Sequence, residues 1–342
     1  MSFKMYVPTR ILFGNGQLNN LNIEELPGKK ALIVISNGRS TRENGYLARV
    51  EEQLRLADTT FIVFDKINAN PTKTVVMEGA AAAREAGCDF VVALGGGSVM
   101  DAAKAIAAMA ANDGDLWDYI SGGTGKAQEL RARPLPVVCI TTTAGTGSEV
   151  DQWGVITNEE TKEKIGFGGY DSLFPAIAVV DPELMKSVPP KFTAYQGFDA
   201  LFHSTESYIS SFANMMSDMY ALTAIENVGK YLARAVEDGG DMEAREHVAF
   251  ANTLSGVVMT VSVTTAEHSM EHAMSAYHPT LPHGAGLIMI SKAFYEFFIE
   301  KHACDERFIN MARALGMKEA GCIDAIFRHF MHPLVSRKGF PA

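Results

Sequence analysis

Five short apolar runs constrain the first half of the chain most tightly: ALIVIS (31–36), FIVFD (61–65), FVVAL (90–94), VVCITT (137–142) and AIAVVD (176–181). Each is continuous rather than alternating, which suits strands buried on both faces of a parallel sheet. Helical stretches lie between several of them, the clearest being TVVMEGAAAAREAG (74–87), rich in Ala and Glu. Alternating strand and helix is the mark of a doubly wound α/β sheet. After SVPPKF (187–192) the β-branched runs become rare. Helical spacing takes over in SDMYALTAIENVGKYLARAV (217–236) and EAREHVAFANTLSGVVMTV (243–261). The pair Pro189–Pro190 is costly inside a helix and marks a boundary. The expectation is an α/β domain over 1–187 and an all-α domain over 188–342.

Composition narrows the function classes. At 342 residues and 47% hydrophobic, the chain can bury a sizeable core. A formal net charge of −10, with acids and bases mixed and no long basic run, argues against nucleic acid or an anionic membrane as partner. The opening MSFKMYVPTR has no apolar core of signal-peptide length, and AIAAMAA (105–111) is far short of a membrane span. Cys88, Cys139, Cys304 and Cys322 are scattered without CxxC spacing, as expected of reduced thiols in a cytoplasmic protein.

Two glycine-rich loops follow strands. In FVVALGGGSVMDAAKAIA (90–107), Gly95, Gly96 and Gly97 permit a tight turn and close approach of a ligand to the backbone. Ser98 is placed to cap the following helix, with Asp101 three residues on. Free N–H groups at such a helix start form an anion site. In PVVCITTTAGTGSE (136–149), Thr142, Thr143, Thr146 and Ser148 can bond phosphate, ribose or a carboxamide. A tight βα turn and a polar loop without ligand would look the same one at a time. Two such loops at the C-terminal edge of one sheet point to a dinucleotide-binding, Rossmann-like domain.

The end of ALIVISNGRS (31–40) bears on which dinucleotide. Ser36 stands where an acid would hold the ribose 2′-OH of NAD, and Arg39 is near, which leans towards the 2′-phosphate of NADP. A solvated loop arginine fits the same residues.

The histidines are unevenly spread. Of nine, four fall in EHSMEHAMSAYHPTLPHG (267–284). His268 and His272 are four apart and share a helix face, and His283 follows a turn marked by Pro279 and Pro282. Upstream, QGFDALFHSTE (196–206) gives Asp199 and His203 the same spacing. Three imidazoles and a carboxylate suit a divalent first-row metal, although a hydrogen-bonded polar cluster would show the same spacing. His278 lies beside a proline in the turn. His247, His302, His329 and His332 have no partner at useful spacing and read as surface or structural residues.

Taken in order, PTRILFGNGQL (8–18), NPT (70–72), GGGSVMDAAK (95–104), TTTAGTGSE (141–149), GFDALFH (197–203) and EHAMSAYHPTLPHGAGL (271–287) resemble the iron-containing (group III) alcohol dehydrogenases, which have a dehydroquinate synthase-like fold. The resemblance implies that Asp199, His203, His268 and His283 hold the metal and that His272 is the catalytic histidine near substrate and nicotinamide. It implies that Gly95, Gly96, Gly97 and Ser98 carry the pyrophosphate. Asp101, Thr142, Thr143, Thr146 and Lys164 match further cofactor contacts, and Trp153 a substrate-lining position. Ser36 falls where NAD-preferring members carry an aspartate, which leaves NAD and NADP both open.

The implied activity is hydride transfer between NAD(P) and a small primary alcohol, diol or aldehyde, assisted by Fe²⁺, with Zn²⁺ as the alternative ion. A homodimer or larger homo-oligomer is expected. A lyase in the manner of dehydroquinate synthase, and a nucleotide- or metal-binding protein without catalysis, are the competing readings. From residue 321, GCIDAIFRHFMHPLVSRKGFPA departs from the family, so an atypical or truncated helical domain with exposed apolar surface is expected at that end.

Overall fold

The structure, a computed structural model, describes residues 2–317. The segment from 318, with Cys322, His329, His332 and the divergent tail, lies outside the described residues.

The first part of the chain runs β1 (Arg10–Phe13), β2 (Lys30–Ser36), α1 (Ser40–Glu43), α2 (Tyr46–Leu56), β3 (Thr60–Ile67), α3 (Lys73–Ala86), β4 (Phe90–Gly95), α4 (Gly97–Ala111), β5 (Val137–Thr141), β6 (Trp153–Asn158), β7 (Glu163–Gly168) and β8 (Ile177–Val180). Six of these strands form one parallel sheet in the order β1-β8-β5-β4-β2-β3. All five expected strands are in it.

Their continuous apolar character has the expected cause. Along β2, Leu32 and Val34 pack towards α3 and α4, while Ala31, Ile33 and Ile35 pack towards α2. Both faces are therefore buried. The order reverses between β2 and β4, and in open α/β sheets ligands bind in the crevice at the C-terminal end of such a pair. Ser36 and Gly95 close those two strands.

Two elements were not anticipated. β1 is an edge strand, and β6 and β7 form an antiparallel hairpin outside the main sheet. The hairpin lies against α4 and α8 and brings Lys164 to the helical half.

The remainder is helical: α5 (Pro190–Ile209), α6 (Met215–Glu237), α7 (Met242–Val261), α8 (Ala266–Tyr277), α9 (His283–Glu300) and α10 (Asp305–Ala314). Pro190 opens α5, where its missing N–H costs nothing. These helices share a core that includes Phe198, Phe202, Ile225, Val248, Leu287 and Phe308. Among the described residues no single helix is long and apolar enough to cross a membrane, and Cys88, Cys139 and Cys304 are free.

Candidate metal and nucleotide site

The histidine cluster is built by three helices. Asp199 and His203 lie one turn apart on α5, His268 and His272 one turn apart on α8, and His283 is the first residue of α9. Asp199 Oδ1 stands at the centre, 3.4 Å from His268 Nε2 and 3.5 Å from both His283 Nε2 and His203 Nδ1. Donor atoms around one metal at ~2.1 Å stand roughly 3.4 Å apart in a tetrahedral set. Asp199, His268 and His283 bring their donor atoms within 4.8 Å of one another. His203 is not in that tightest group. Its ring stacks on His268 with centroids 4.3 Å apart, and its Nδ1 is 3.3 Å from the carbonyl oxygen of Gly145.

Each of the two central imidazoles is oriented by a buried glutamate. His268 Nδ1 donates to Glu206, and His283 Nδ1 donates to Glu271. Such partners fix the tautomer and direct the other ring nitrogen. Glu206 also accepts from Thr265 N at 2.6 Å and Thr265 Oγ1 at 2.7 Å, so one carboxylate both starts α8 and aims His268. Glu206 and Glu271 were missed from the sequence, yet a local signal existed. The stretches HSTE (203–206) and HSME (268–271) each place a glutamate three residues after a histidine. In both, the glutamate serves a histidine on the next ligand-bearing helix rather than its own: Glu206 serves His268 and Glu271 serves His283.

The cluster fits a cation. Asp199 Oδ1 and His268 Nε2 are buried without a hydrogen-bond partner, a costly state for polar atoms. Burial opposes charge on every group here, yet the neighbouring histidines hold Asp199 well below the usual carboxylate range. Glu206 and Glu271 are also lowered, against burial, by His268 and His283 respectively. Three buried carboxylates thus face one buried ammonium, that of Lys164, leaving an excess of two negative charges. Without a metal the surroundings draw in protons instead. Burial lowers the affinity of His268 for a proton, but Glu206 and Asp199 outweigh it and push its pKa up to about 10. The donor set of nitrogen and oxygen suits Fe²⁺ or Zn²⁺.

A cleft of about 270 Å³ joins this cluster to the sheet. Its lining includes His203, His268, His272 and His283 on one side, and Ser98, Asp101, Thr146 and Lys164 on the other. Trp153, Met259 and Val263 give it an apolar wall. His272 is a neutral imidazole: burial lowers its pKa well below the usual value, and the nearby His283 and Lys164 act in the same direction.

The glycine loops face each other. A Cβ on Gly96 would lie 2.8 Å from Thr143 Oγ1, and one on Gly97 would strike Thr146. These glycines therefore serve the approach of the second loop as well as the turn. Ser98 does not cap α4: Gly96 is the N-cap and no side chain bonds the first turn. The reason is that the helix begins at Gly97, one residue before Ser98, which leaves the first N–H groups open. Thr142 N bonds back to Gly95 O at 3.0 Å and ties the loops together. Asp101 accepts from Ser148 Oγ at 2.7 Å and Val155 N at 2.9 Å. Lys164 Nζ lies on Ser275 Oγ at 2.7 Å and Glu271 Oε2 at 3.4 Å.

The second loop is held by the helical half. Ala144 N donates to Gln196 Oε1 at 3.3 Å, and Gly147 N donates to Asn252 Oδ1 at 2.8 Å. Glu149 Oε1 accepts from Asn252 Nδ2 at 2.7 Å and Thr253 Oγ1 at 2.9 Å. Of the remaining histidines, His247 bonds Asn227 and stacks on Tyr231, and His302 pairs with Asp305.

Comparison with known proteins accords with this geometry. The family model described as iron-containing alcohol dehydrogenase matches residues 8–182. Its C-terminal counterpart matches 193–339, which corrects the expectation that the chain departs from the family from residue 321. The 1,3-propanediol dehydrogenase of Klebsiella pneumoniae is 34% identical over 329 residues, covering 94% of this chain and 82% of that protein. The crystal structure of an archaeal alcohol dehydrogenase from a Red Sea brine pool superposes with a TM-score of 0.90 at 39% identity, covering 96% of this chain and 84% of the other. Sulfoacetaldehyde reductase from Bifidobacterium kashiwanohense, solved with NAD⁺, gives 0.85 at 32% identity, covering 100% and 87%. The chain belongs to the iron-containing alcohol dehydrogenase family and is an oxidoreductase of the alcohol dehydrogenase type.

Proposed function

We propose that Asp199, His203, His268 and His283 hold a divalent metal, Fe²⁺ by family and Zn²⁺ as the competing ion, opposite a nicotinamide seated on the sheet half. The observation that carries this reading is the pair of buried, unpartnered donor atoms, Asp199 Oδ1 and His268 Nε2, in the cluster whose histidines line one wall of the cleft that Ser98, Asp101 and Thr146 line on the other. Gly95, Gly96, Gly97 and Ser98 present the open first turn of α4 to the pyrophosphate. Thr142, Thr143 and Thr146 would flank it, and Asp101 and Lys164 line the adjoining cleft. With both bound, the centre supplies Lewis acidity towards an alcohol or carbonyl oxygen and hydride exchange at the nicotinamide.

The chain's own residues supply the rest. Glu206 and Glu271 keep His268 and His283 pointing inward. His272, neutral and facing the cleft, accepts the alcohol proton at an imidazole nitrogen and returns it in the reverse direction. Trp153, Met259 and Val263 exclude water around the substrate carbon and suit a small uncharged primary alcohol, diol or aldehyde. Ser36 and the exposed Arg39 stand at the end of β2 without an acid, so NADPH is accepted alongside NADH. The open edge of β1, with exposed Phe3, Tyr6 and Ile11, supports a homodimer or larger assembly, and three free thiols suit the cytoplasm.

Anaerobic purification followed by metal analysis tests the reading. NADH and NADPH oxidation with short aldehydes is then followed with and without added Fe²⁺. Turnover should track metal content, and His268→Ala should lose metal and activity together. Stoichiometric metal in His268→Ala would overturn the ligand set. Metal-replete protein that binds NADH without turnover would favour a binding role, and reaction without net NADH consumption would favour a lyase.

A further inference from the structure

Glu271, the buried partner of His283 on α8, is itself held from the opposite half of the molecule. Its Oε2 accepts from His283 Nδ1 and lies 3.4 Å from Lys164 Nζ. Lys164 comes from β7, in the sheet half, and donates also to Ser275 Oγ at 2.7 Å, one helical turn beyond Glu271. Gly286 closes the other side: a Cβ there would come within 2.8 Å of Glu271 Cγ, so the glutamate stem is wedged against bare backbone. His283 is the first residue of α9. The bond at Nδ1 fixes the tautomer and leaves Nε2 facing Asp199 Oδ1 at 3.5 Å.

We propose that Glu271, locked in place by Lys164, is the positioning residue for His283, so that the β6–β7 hairpin of the sheet half sets how tightly the helical half retains its metal. This rests on the reading of His283 as a ligand. Burying a second carboxylate beside an already anionic cluster is unfavourable unless it is paired. The ammonium of Lys164 is the compensating charge, and it reaches Glu271 only when the hairpin lies against α8.

The test uses the full chain, stripped of metal and reloaded with Co²⁺. The dissociation constant comes from chelator competition, and the visible absorption of the ion reports ligand geometry. Glu271→Gln should weaken Co²⁺ about 10–100-fold and change the spectrum, the usual scale for losing such a partner. Lys164→Ala should weaken it in the same direction, and Lys164→Arg should restore most of the loss, which a role in folding alone would not produce. If Glu271→Gln does not fold, the two Lys164 variants carry the test. Wild-type affinity and spectrum in Glu271→Gln and Lys164→Ala would overturn the proposal. His283→Ala separates the two readings. Wild-type Co²⁺ affinity in that variant would remove the ligand assignment, whereas its loss there alone would remove only the role of Glu271.

Discussion

Lys104 Nζ lies 2.8 Å from Asp151 Oδ1, with 0% and 3% of the two side chains exposed. The same ammonium donates to Ser148 Oγ at 2.8 Å and Trp153 O at 2.6 Å. Its three hydrogens thus tie α4 to the second glycine loop and to the start of β6. Lys104→Met would leave Asp151 buried without its cation. Breaking such a pair costs about 3–5 kcal/mol, and urea denaturation should show it. The double variant Lys104→Met, Asp151→Asn should recover part of the loss. A single-variant cost under about 1 kcal/mol would mean that water replaces the ammonium.

Asp101 gives a pH signature. Burial pushes its pKa up from 3.8 to about 6, against the opposing pull of Lys104 and Ser148. A raised acid contributes stability that is complete below the unfolded value and lost as pH rises through the folded one. Comparing Asp101→Asn with the parent isolates this group. Between pH 4 and 7 the difference in unfolding free energy should move in favour of the variant by up to about 3 kcal/mol, given 1.36 kcal/mol per unit. A flat difference across that range would show Asp101 titrating at its ordinary value.

Gly97→Ala should disrupt the cofactor seat more than the fold. The added Cβ meets Thr146 at the start of α4, where the loops press together. Overpacking of this kind costs about 1–3 kcal/mol. The expected result is a modest loss of stability and a rise of about 10-fold or more in the NADH dissociation constant, read by fluorescence titration. Unchanged NADH affinity would place the pyrophosphate elsewhere.

Metal removal should loosen α5, α8 and α9 together, since the proposed ligands come from all three. A metal present at ~1,000 times its dissociation constant adds about 4 kcal/mol to stability. Stripping it with a chelator should lower the melting temperature, and hydrogen exchange should quicken around Asp199, His268 and His283. His268→Ala should melt at the same temperature with and without metal. A metal-dependent shift that persisted in that variant would mean the ion binds at other residues.

The parallel strands were legible because both their faces are buried, which leaves an unbroken apolar record such as ALIVIS. The hairpin was not, because WGVITN and EKIGFG are short and break up their apolar residues with Gly, Glu, Lys and Asn, as loops do. The four-residue β1 is too short and too exposed to show a period. At the site, helical spacing brought Asp199 with His203 and His268 with His272 into view. What joins the two pairs is tertiary, as are the contacts of Glu206 and Glu271, which cross between helices. Lys104 closes the GGGSVMDAAK stretch, where nothing local announces its three acceptors beyond β5.

The grip of Gln196, His203, Asn252 and Thr253 on residues 144–149 has a consequence for recombining this chain with its relatives. The family models part between 182 and 193, and a chimaera would naturally be spliced there. Such a splice would give the TTTAGTGSE loop a foreign set of helices to rest on. A functional exchange must transplant residues 144–149 with the helical half, although they precede it by some forty positions, because the seam of the working enzyme does not coincide with the seam of its sequence.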